Sequence, residues 1–294
     1  MVFADGAFQA IRKYHSKDRI TLLTTSPYAN MMKKSGYFDD VWVDNRPRPL
    51  THPLQCWQLF QKLRKAKFDR IYDLQKSKRT KKYMQISDRF FKPKPEWCTK
   101  HSGAKYAYTD PSERTQHIYD RHAHLLAVAG VKEVPKPNLD WMKSDTSSLG
   151  LPKKYFIFVP GCSPTQPHKR WKVENYGDVG NWLIQKKITP VLIGTKDESD
   201  SIQKIQSLCP QALSLEGKTT LFDIAELGRH ATGALGHDTG PMHIVAATGC
   251  PSVMLFSWSS IPEHYAPRGF ETTVIHQDNL DDISVDQVIE LLKA

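Results

Sequence analysis

Short apolar runs alternate with amphipathic segments along the chain, and each pair predicts a strand followed by a helix. The clearest run is Tyr155–Val159, five apolar residues in a row, which is typical of a strand buried on both faces. Further runs at 189–193 and 231–236 predict strands, and 3.6-residue periodicity predicts helices at 174–182 and 284–292. This alternation indicates an α/β domain built on a parallel sheet.

The first half of the chain follows the same pattern more weakly. Strands are predicted at 19–24, 41–43 and 68–74, and helices at 8–12, 28–34, 54–65 and 112–129. A polar segment broken by proline and glycine, residues 135–151, has the composition of a linker. We therefore expect a domain at 1–145, a second at 151–280, and a terminal helical segment at 281–294.

Composition narrows the class of protein. The sequence contains no apolar run long enough to span a bilayer and does not open on a basic-then-apolar leader, so we expect a cytosolic protein. Its five cysteines are scattered, without a CxxC pair or a Cys/His cluster, so neither a disulfide framework nor a metal site is predicted.

Charge is unevenly distributed between the two halves. Residues 1–150 hold 28 Lys and Arg against 15 Asp and Glu, a net +13, whereas the remainder is −3. A basic half indicates an anionic partner: nucleic acid, an anionic membrane surface or a phosphorylated saccharide. A solvated basic surface without a partner is the alternative. Residues 76–105 are especially basic with interleaved aromatics, but they carry no RNA- or DNA-binding signature.

The densest chemistry lies at residues 236–256, which predict a polar loop, a small-residue helix, a turn and a buried strand. Asp238 and Thr239 stand where the N-cap of that helix belongs, and Pro241 suits its first turn. Gly240 permits both a close approach by a ligand and a positive φ. Because free N–H groups at a helix start attract anions, the stretch predicts an anion site. An ordinary capped helix is the alternative.

This stretch also resembles the signature of a known family. It reads Asp-Thr-Gly-Pro-Met-His at 238–243, Ala-Ala-x-Gly-x-Pro at 246–251 and Leu-Phe at 255–256, and is similar to glycosyltransferase family 9, the ADP-heptose:lipopolysaccharide heptosyltransferases. The resemblance implies the GT-B architecture, an α/β fold of two Rossmann-like domains facing across a cleft. It also implies that the C-terminal domain holds most of the nucleotide-sugar donor and that neither a metal nor a cofactor is required. It further implies that the final helix, in residues 281–294, packs back on the N-terminal domain.

Donor-binding roles carry over to several positions of the second domain. Lys169, in a Lys-x-Trp motif, matches the cation at the donor diphosphate, and Ser163 and Thr165 in the preceding loop match hydroxyl donors. Glu198 matches the ribose ligand, with Asp197 as a helix cap. Thr219 is expected near the adenine, or as the N-cap of the next helix.

The signature itself supplies the remaining donor contacts. The N–H groups of Thr239 and Gly240 are expected to stabilise the diphosphate, and Asp238 to orient the heptose hydroxyls. His243 lies four residues after Thr239, so it is placed either to meet the phosphates or to brace the loop.

On the acceptor side the resemblance rests on residues 73–79, Asp-Leu-Gln-Lys-Ser-Lys-Arg, which follow a predicted strand. Since ligands bind beyond the carboxyl ends of parallel strands, it implies acceptor-side roles for Asp73, Gln75, Ser77 and Arg79. A strand end followed by a helix cap is the alternative.

One departure concerns the start of the chain. Family members open with a hydrophobic strand and a Gly-Asp pair, whose Asp is the proposed general base, and neither precedes the residues matching Met1 to Phe3. We therefore expect an N-terminal sheet without its first strand, either because Met1 is an internal methionine or because the form is truncated. We also expect residues 1–294 to show little transfer activity. Asp5 is a weak substitute base; capping the first helix is its alternative role.

The sequence thus predicts an inverting glycosyltransferase that moves heptose from ADP-heptose to an anionic lipopolysaccharide inner-core acceptor. We expect it in the cytoplasm, in peripheral contact with the inner face of the cytoplasmic membrane, and without a nucleic-acid partner. Two alternatives stay open: a GT-B transferase of other donor specificity, and a truncated, non-catalytic protein that binds a nucleotide sugar or another anion.

Overall fold

A computed structural model of the chain describes residues 1–163, 165–268 and 270–293. Two compact units divide the chain: residues 3–137 with Met1, and the chain from Asn138 onward with Val2. Their junction lies within the predicted linker but before the predicted domain end at 145. The reason is local, because Leu139 and Met142 are buried and their carbonyl oxygens accept hydrogen bonds from Arg229 of the second unit.

The first unit alternates short strands and helices, as its sequence predicts. Its elements are α1 (Asp5–Tyr14), β1 (Thr21–Thr24), α2 (Ser26–Lys33), β2 (Asp40–Val43), α3 (Pro53–Ala66), β3 (Arg70–Tyr72), α4 (Lys78–Phe90), β4 (Glu96–Thr99), β5 (Tyr106–Ala107) and α5 (Ile118–Ala127). All pairings are parallel, but the strands form two sheets, β1-β2 and β3-β4-β5. Among the strands that the structure describes, none joins β1 to β3.

Packing in the first unit is correspondingly divided. Ala7 and Ile11 of α1 pack with Leu126 in one small cluster, and Cys98 and Leu125 form the centre of another. Helix α3 has no buried residue at all, although its sequence is amphipathic. The first unit therefore has small apolar clusters, and half-buried Tyr72 and Leu74 pack against both of those named here.

The predicted helix at 112–129 is wrong in its first part. A 3₁₀ turn covers Pro111–Thr115, and α5 begins only at Ile118. The break arises because His117 has extended backbone angles and its Nδ1 accepts a hydrogen bond from Tyr119 N, which makes it the N-cap of α5. Helix α4 and strand β4 lie within the basic stretch at 76–105, and β5 directly follows it; the sequence pattern predicts none of these three elements.

The second unit is a doubly wound sheet with helices between its strands. Its elements are β6 (Tyr155–Val159), α6 (Val173–Gln185), β7 (Thr189–Leu192), α7 (Ser199–Leu208), β8 (Leu213–Ser214), α8 (Leu221–His230), β9 (Ala234–His237), α9 (Gly240–Ala247), β10 (Ser252–Phe256), α10 (Pro262–Tyr265), β11 (Thr272–His276) and α11 (Val285–Lys293). All six strands are parallel, in the order β11-β10-β9-β6-β7-β8.

This strand order fixes where a ligand can bind. The chain builds the sheet outward from β6 through β7 to β8, then returns to the other side of β6 to add β9, β10 and β11. The direction of winding therefore reverses between β6 and β9, and in open α/β sheets the crevice at such a reversal is the usual ligand site. A continuous core that includes Phe158, Tyr176 and Leu255 holds the two halves together.

The final helix, α11, packs on its own unit. Val288 is fully buried, and the helix contacts α6 and β10. The packing of residues 281–294 on the N-terminal domain stays a prediction. Among the described residues, no helix has the length and apolar character needed to cross a bilayer.

Candidate functional site

The loops that follow β6, β7, β9 and β10 all leave the same edge of the second sheet, because the strands are parallel. They carry most of the residues that the sequence assigns to the donor. The loops after β6 and β9 flank the reversal of winding, and they bring Lys169 and Asp238 together. The sequence predicts both residues for one site, and the structure joins them across 69 positions of chain.

Asp238 is the hub of this cluster. Lys169 Nζ lies 3.1 Å from its Oδ2 and His243 Nε2 lies 2.8 Å from its Oδ1, while Ser260 Oγ donates to Oδ2 at 2.5 Å. Burial alone would raise the pKa of Asp238, but the hydrogen bonds from His243 and Ser260, with the nearby charges of His243 and Lys169, hold that pKa well below its usual range. Asp238 is therefore an anion at any physiological pH.

A buried histidine next to this cluster was not identified from the sequence. His237 is fully buried at the end of β9, and its Nε2 accepts a hydrogen bond from Trp171 N at 2.8 Å. Tyr176 Oη also donates to Nε2, and Nδ1 faces the Gly161 carbonyl oxygen. Burial lowers the pKa of His237 to about 4, so the ring is neutral. It ties the segment that carries Lys169 to the strand that carries Asp238.

The start of α9 is the place where the sequence predicts an anion site. Thr239 is the N-cap, but its side chain makes no capping bond, and among the described residues its Oγ1 is buried without a hydrogen-bond partner. Pro241 lies in the first turn, as predicted. Gly240 does not adopt the positive φ that glycine permits. Instead, a Cβ at Gly240 would meet no atom within 4 Å, which leaves open space beside the first N–H groups of the helix.

Glu198 lies beside the loop after β6, packed against two glycines. A Cβ on Gly161 would fall 2.2 Å from Glu198 Cγ, and one on Gly194 would fall 2.7 Å from Ile202 Cδ1 and 3.1 Å from Glu198 Cβ, so a larger residue at either position would displace these side chains. Its carboxylate accepts hydrogen bonds from the N–H and hydroxyl of Thr195, which is the N-cap of the 3₁₀ turn. The prediction of Asp197 as the cap is therefore wrong.

The remaining donor candidates are exposed or half-buried. The hydroxyls of Ser163 and Thr165 lie 2.9 Å apart on the exposed loop after β6. Thr219 is half-buried before α8, but the N-cap of that helix is Thr220, which forms a reciprocal capping box with Asp223. The alternative of Thr219 as N-cap is thus wrong by one residue, and its place near an adenine stays a prediction.

A histidine–tryptophan stack borders the cluster and was not anticipated. The rings of His168 and Trp258 stack with centroids 4.9 Å apart and 28° between their planes. His168 Nε2 is 2.8 Å from Ser259 Oγ, and Trp258 is 62% exposed. The stack links the loop after β6 to the loop after β10, which also supplies Ser260. Because His168 and Trp258 are far apart in the chain and share no motif, their contact could not be predicted from the sequence.

Two of the predicted acceptor-side residues have structural partners in the first unit. Asp73 is buried at the end of β3, where its carboxylate accepts hydrogen bonds from Lys76 N and Thr99 Oγ1. Ser77 is the N-cap of α4, in a capping box with Thr80. These contacts are those of a strand end followed by a helix cap, the alternative that the sequence leaves open.

The other two acceptor-side residues reach further from the backbone. Gln75 is exposed, whereas Arg79 extends from α4 toward the end of β2, with Nη1 3.7 Å from Asp44 Oδ2.

Asp5, the candidate base, is buried in the first turn of α1, and its Oδ2 accepts a hydrogen bond from Gln9 Nε2 at 2.7 Å. The cap of α1 is Ala4, so the capping role considered for Asp5 is wrong. Its role as a base stays a prediction.

Comparison with known proteins agrees with these motifs. The sequence model of Glycosyltransferase family 9 (heptosyltransferase) matches residues 56–288, most of the chain. Lipooligosaccharide heptosyltransferase 2 of Haemophilus influenzae is 29% identical over 123 residues, which are 40% of this chain and 35% of that protein. The matched segment is thus about a third of the relative's length.

Solved structures extend the comparison to the whole fold. A glycosyl transferase family 9 protein from Veillonella parvula superposes with a TM-score of 0.81 at 19% identity, covering 100% of this chain and 94% of that one. The Escherichia coli heptosyltransferase WaaC, solved with ADP, gives 0.74 at 15% identity, covering 99% and 95%. These likenesses confirm the predicted α/β fold of the GT-B class.

Proposed function

The chain belongs to glycosyltransferase family 9, and from that premise we propose that it is an inverting glycosyltransferase that moves heptose from ADP-heptose to a lipopolysaccharide inner-core acceptor. The observation that carries the proposal is the Lys169–Asp238 pair beside the start of α9, at the reversal of winding in the second sheet. The heptosyltransferase name of the Haemophilus influenzae relative and the ADP in the WaaC structure support the choice of donor.

In this proposal the ion pair is the resting state of the donor site. A diphosphate bound at the start of α9 would be a second anion close to Lys169. The Lys169 ammonium already contacts Asp238, which directly precedes the N-cap of that helix. Lys169 turns to the phosphate, and Asp238 is released to accept hydrogen bonds from the sugar hydroxyls. His243 and Ser260 hold the Asp238 carboxylate in place during the exchange.

The same groups stabilise the leaving group without a metal. As the bond to the sugar breaks, negative charge develops on the ADP diphosphate. The Lys169 ammonium, the N–H groups of Thr239 and Gly240 and the positive end of the α9 dipole face that charge, and such fixed donors act most strongly in a partly buried site. Thr239 Oγ1, buried without a partner among the described residues, is a further donor for the phosphate.

Other residues complete the donor site. We assign Glu198 to the ribose hydroxyls, where acidic side chains bind in dinucleotide folds. Thr219 is assigned to the adenine, and the hydroxyls of Ser163 and Thr165 to the diphosphate. His243 braces Asp238, which is the geometry that its 2.8 Å contact supports.

The acceptor is assigned to the first unit, whose excess of Lys and Arg suits phosphates and acidic sugars. Gln75 and Arg79 are the side chains that extend furthest toward a ligand there, with Asp73 and Ser77 shaping the turn between β3 and α4. Asp5 is the candidate base. Because the acceptor is a lipid, we propose that the protein works at the inner face of the cytoplasmic membrane.

A transferase with another donor is the second candidate, and one observation favours it. Members of the family usually carry Gly-Pro-Thr after the Leu-Phe of the signature, but here that segment is 257–260, Ser-Trp-Ser-Ser, and Trp258 and Ser260 border the donor cluster. A changed loop at this point alters the surface that a sugar meets.

A donor screen separates the two candidates. Calorimetry with ADP-heptose, ADP-glucose and UDP-glucose is expected to show the tightest binding for ADP-heptose and no measurable binding for the UDP sugar. Mass spectrometry of a heptose-free core acceptor then reports transfer, and Asp5→Asn tests the base. Preference for a UDP sugar contradicts the proposed donor, and failure to bind any nucleotide sugar contradicts the transferase.

A further inference from the structure

The surface formed by the outer faces of α3 and α4 combines exposed apolar side chains with basic ones for which the described residues supply no ion pair; the ammonium of Lys62 lies over the Trp42 ring. On α3, the exposed positions 54, 57, 58, 62 and 65 follow helical spacing and so share one face, which the exposed positions 53, 55, 64 and 66 widen on either side. On α4, the exposed positions 78, 81, 82, 85, 86, 89 and 90 do the same. The rings of Phe60 and Phe90 meet at 6.1 Å, so the two helices adjoin.

The apolar part of this surface is unusually exposed. Leu50, just before α3, is 98% exposed, and Leu54 and Trp57 on its first turns are 63% and 57% exposed. Ile86 and Phe90 of α4 are 39% and 52% exposed. Since α3 buries no residue, these exposed apolar side chains are not explained by the core of the unit. Several exposed apolar groups on two adjoining helices are typical of an interaction surface.

The charge of the surface has a single sign. The sequence of α3 contains no acidic residue, and the one acid of α4, Asp88, is half-buried. Seven exposed cations stand on the two helices, and within the part of the chain that the structure describes none of them forms an ion pair: Lys62, Arg64, Lys65, Lys78, Lys81, Lys82 and Arg89. Such a surface repels cations and attracts anionic partners.

We propose that the α3–α4 surface docks the protein onto an anionic lipid bilayer. Lys and Arg side chains bind the headgroups, while Leu50, Leu54 and Trp57 enter the boundary between headgroups and acyl chains, as in interfacial amphipathic helices. A nucleic acid would use the cations but would leave these aliphatic side chains in water, so the apolar groups select the bilayer. The inference deepens the proposed membrane contact and rests on that part of the proposed function.

Vesicle binding tests the charged part of the surface. The full chain is expected to co-sediment with vesicles of phosphatidylglycerol and phosphatidylcholine, not with phosphatidylcholine alone, and to be released by salt. Because each cation near an anionic surface contributes roughly fivefold, Lys81→Gln with Lys82→Gln should weaken binding by about tenfold or more. The matched control, Lys153→Gln with Lys154→Gln, removes two exposed cations from the second unit and should bind as the unchanged protein does.

Fluorescence tests the apolar part. Brominated phosphatidylcholine, mixed with phosphatidylglycerol, quenches tryptophans that enter the acyl boundary. The quenching is expected to be largely lost in Trp57→Phe and retained in Trp258→Phe, which alters a similarly exposed tryptophan of the second unit. Both substitutions keep an aromatic ring at an exposed site, so loss of folding does not explain the difference.

Several results would overturn the docking surface: equal binding to neutral and anionic vesicles, unchanged vesicle binding in the Lys81/Lys82 variant, quenching that survives Trp57→Phe, or tight binding to duplex DNA without binding to vesicles. ADP affinity of the same variants, measured in parallel by calorimetry, separates this failure from that of the proposed function. The inference predicts unchanged ADP affinity in the Lys81/Lys82 variant, because those residues lie on the outer face of α4.

Discussion

The two units of the chain share the alternation of strand and helix but differ in the number of their sheets and in the burial of their strands. In the second unit, six parallel strands form one sheet, and β6 and β10 are buried at every position. In the first unit, five strands form two sheets, and every described position of β1 and β3 is only half-buried. One unit is organised around a continuous core and the other around small clusters and a basic surface.

The difference separates two kinds of function. A site that must hold a lysine, a carboxylate and a helix start at fixed distances needs rigid neighbours, and the fully buried strands β6 and β9 provide them. A surface that binds an extended, variable anion needs charge and area more than rigidity. The first unit supplies these in α3, α4 and the segments between its strands.

The comparison predicts that the same substitution costs more stability in the sheet of the second unit than in the β1-β2 sheet of the first, and this is the largest effect expected here. Leu192→Ala in β7 removes a fully buried side chain, so it should lower the free energy of unfolding by about 2–5 kcal/mol. Leu22→Ala, the same substitution in half-buried β1, should cost less than about 2 kcal/mol. Urea denaturation of both variants measures the difference. Equal losses would mean that the two sheets are equally well packed.

The buried histidine of the second unit, His237, makes the stability of the folded chain depend on pH. The pKa of His237 is about 4 in the folded chain, below the value of about 6.5 expected when unfolded. The unfolded state therefore binds the proton more readily, and stability is full above about pH 6.5 and lost as the pH falls toward 4, by up to about 3 kcal/mol. His122 of the first unit, whose pKa burial also lowers to about 4, should add a similar loss.

The test is the pH dependence of unfolding in His237→Gln and in His122→Gln. Glutamine retains a hydrogen-bonding oxygen but cannot titrate, so each variant should lose less stability between pH 6.5 and 4 than the unchanged protein does. An unchanged pH dependence in His237→Gln would show that burial does not hold the ring neutral in the folded chain.

Helix caps give a smaller effect that is shared by the two units. Ser77→Ala removes the cap of α4 in the first unit and Thr220→Ala that of α8 in the second, and each should cost about 1 kcal/mol. Thr219→Ala is the matched control, since Thr219 is not the cap, and it should change the free energy of unfolding by less than about 0.5 kcal/mol. A larger loss for Thr219→Ala would move the start of the helix back by one residue.

The sequence predicts correctly those elements that are determined by residues adjacent in the chain. The run at Tyr155–Val159 predicts β6, and Pro241 after Thr239 predicts the start of α9; both are confirmed. The pairing of Lys169 with the signature around Asp238 followed from the family motif, and the structure brings the two together.

Other features could not be predicted because they arise from tertiary contacts. The hydrogen bond from Trp171 N that fixes His237, and the approach of Ser260 to Asp238, join distant segments that share no sequence pattern. Cap positions failed at Asp197 and Thr219 because several hydroxyl or acidic residues stand next to one another, and the backbone angles decide which of them caps. The break before α5 depends on the same kind of choice at His117.

The central claim is that the second unit holds a nucleotide diphosphate between Lys169 and the start of α9. The most direct measurement is calorimetry of ADP binding to Lys169→Ala, with Lys172→Ala as the control, because Lys172 is an exposed lysine three residues away that pairs with Asp281. A charge-assisted hydrogen bond contributes about 1.5–3 kcal/mol, so Lys169→Ala should weaken ADP binding roughly tenfold or more while the control binds normally. Unchanged ADP affinity in Lys169→Ala would contradict the account.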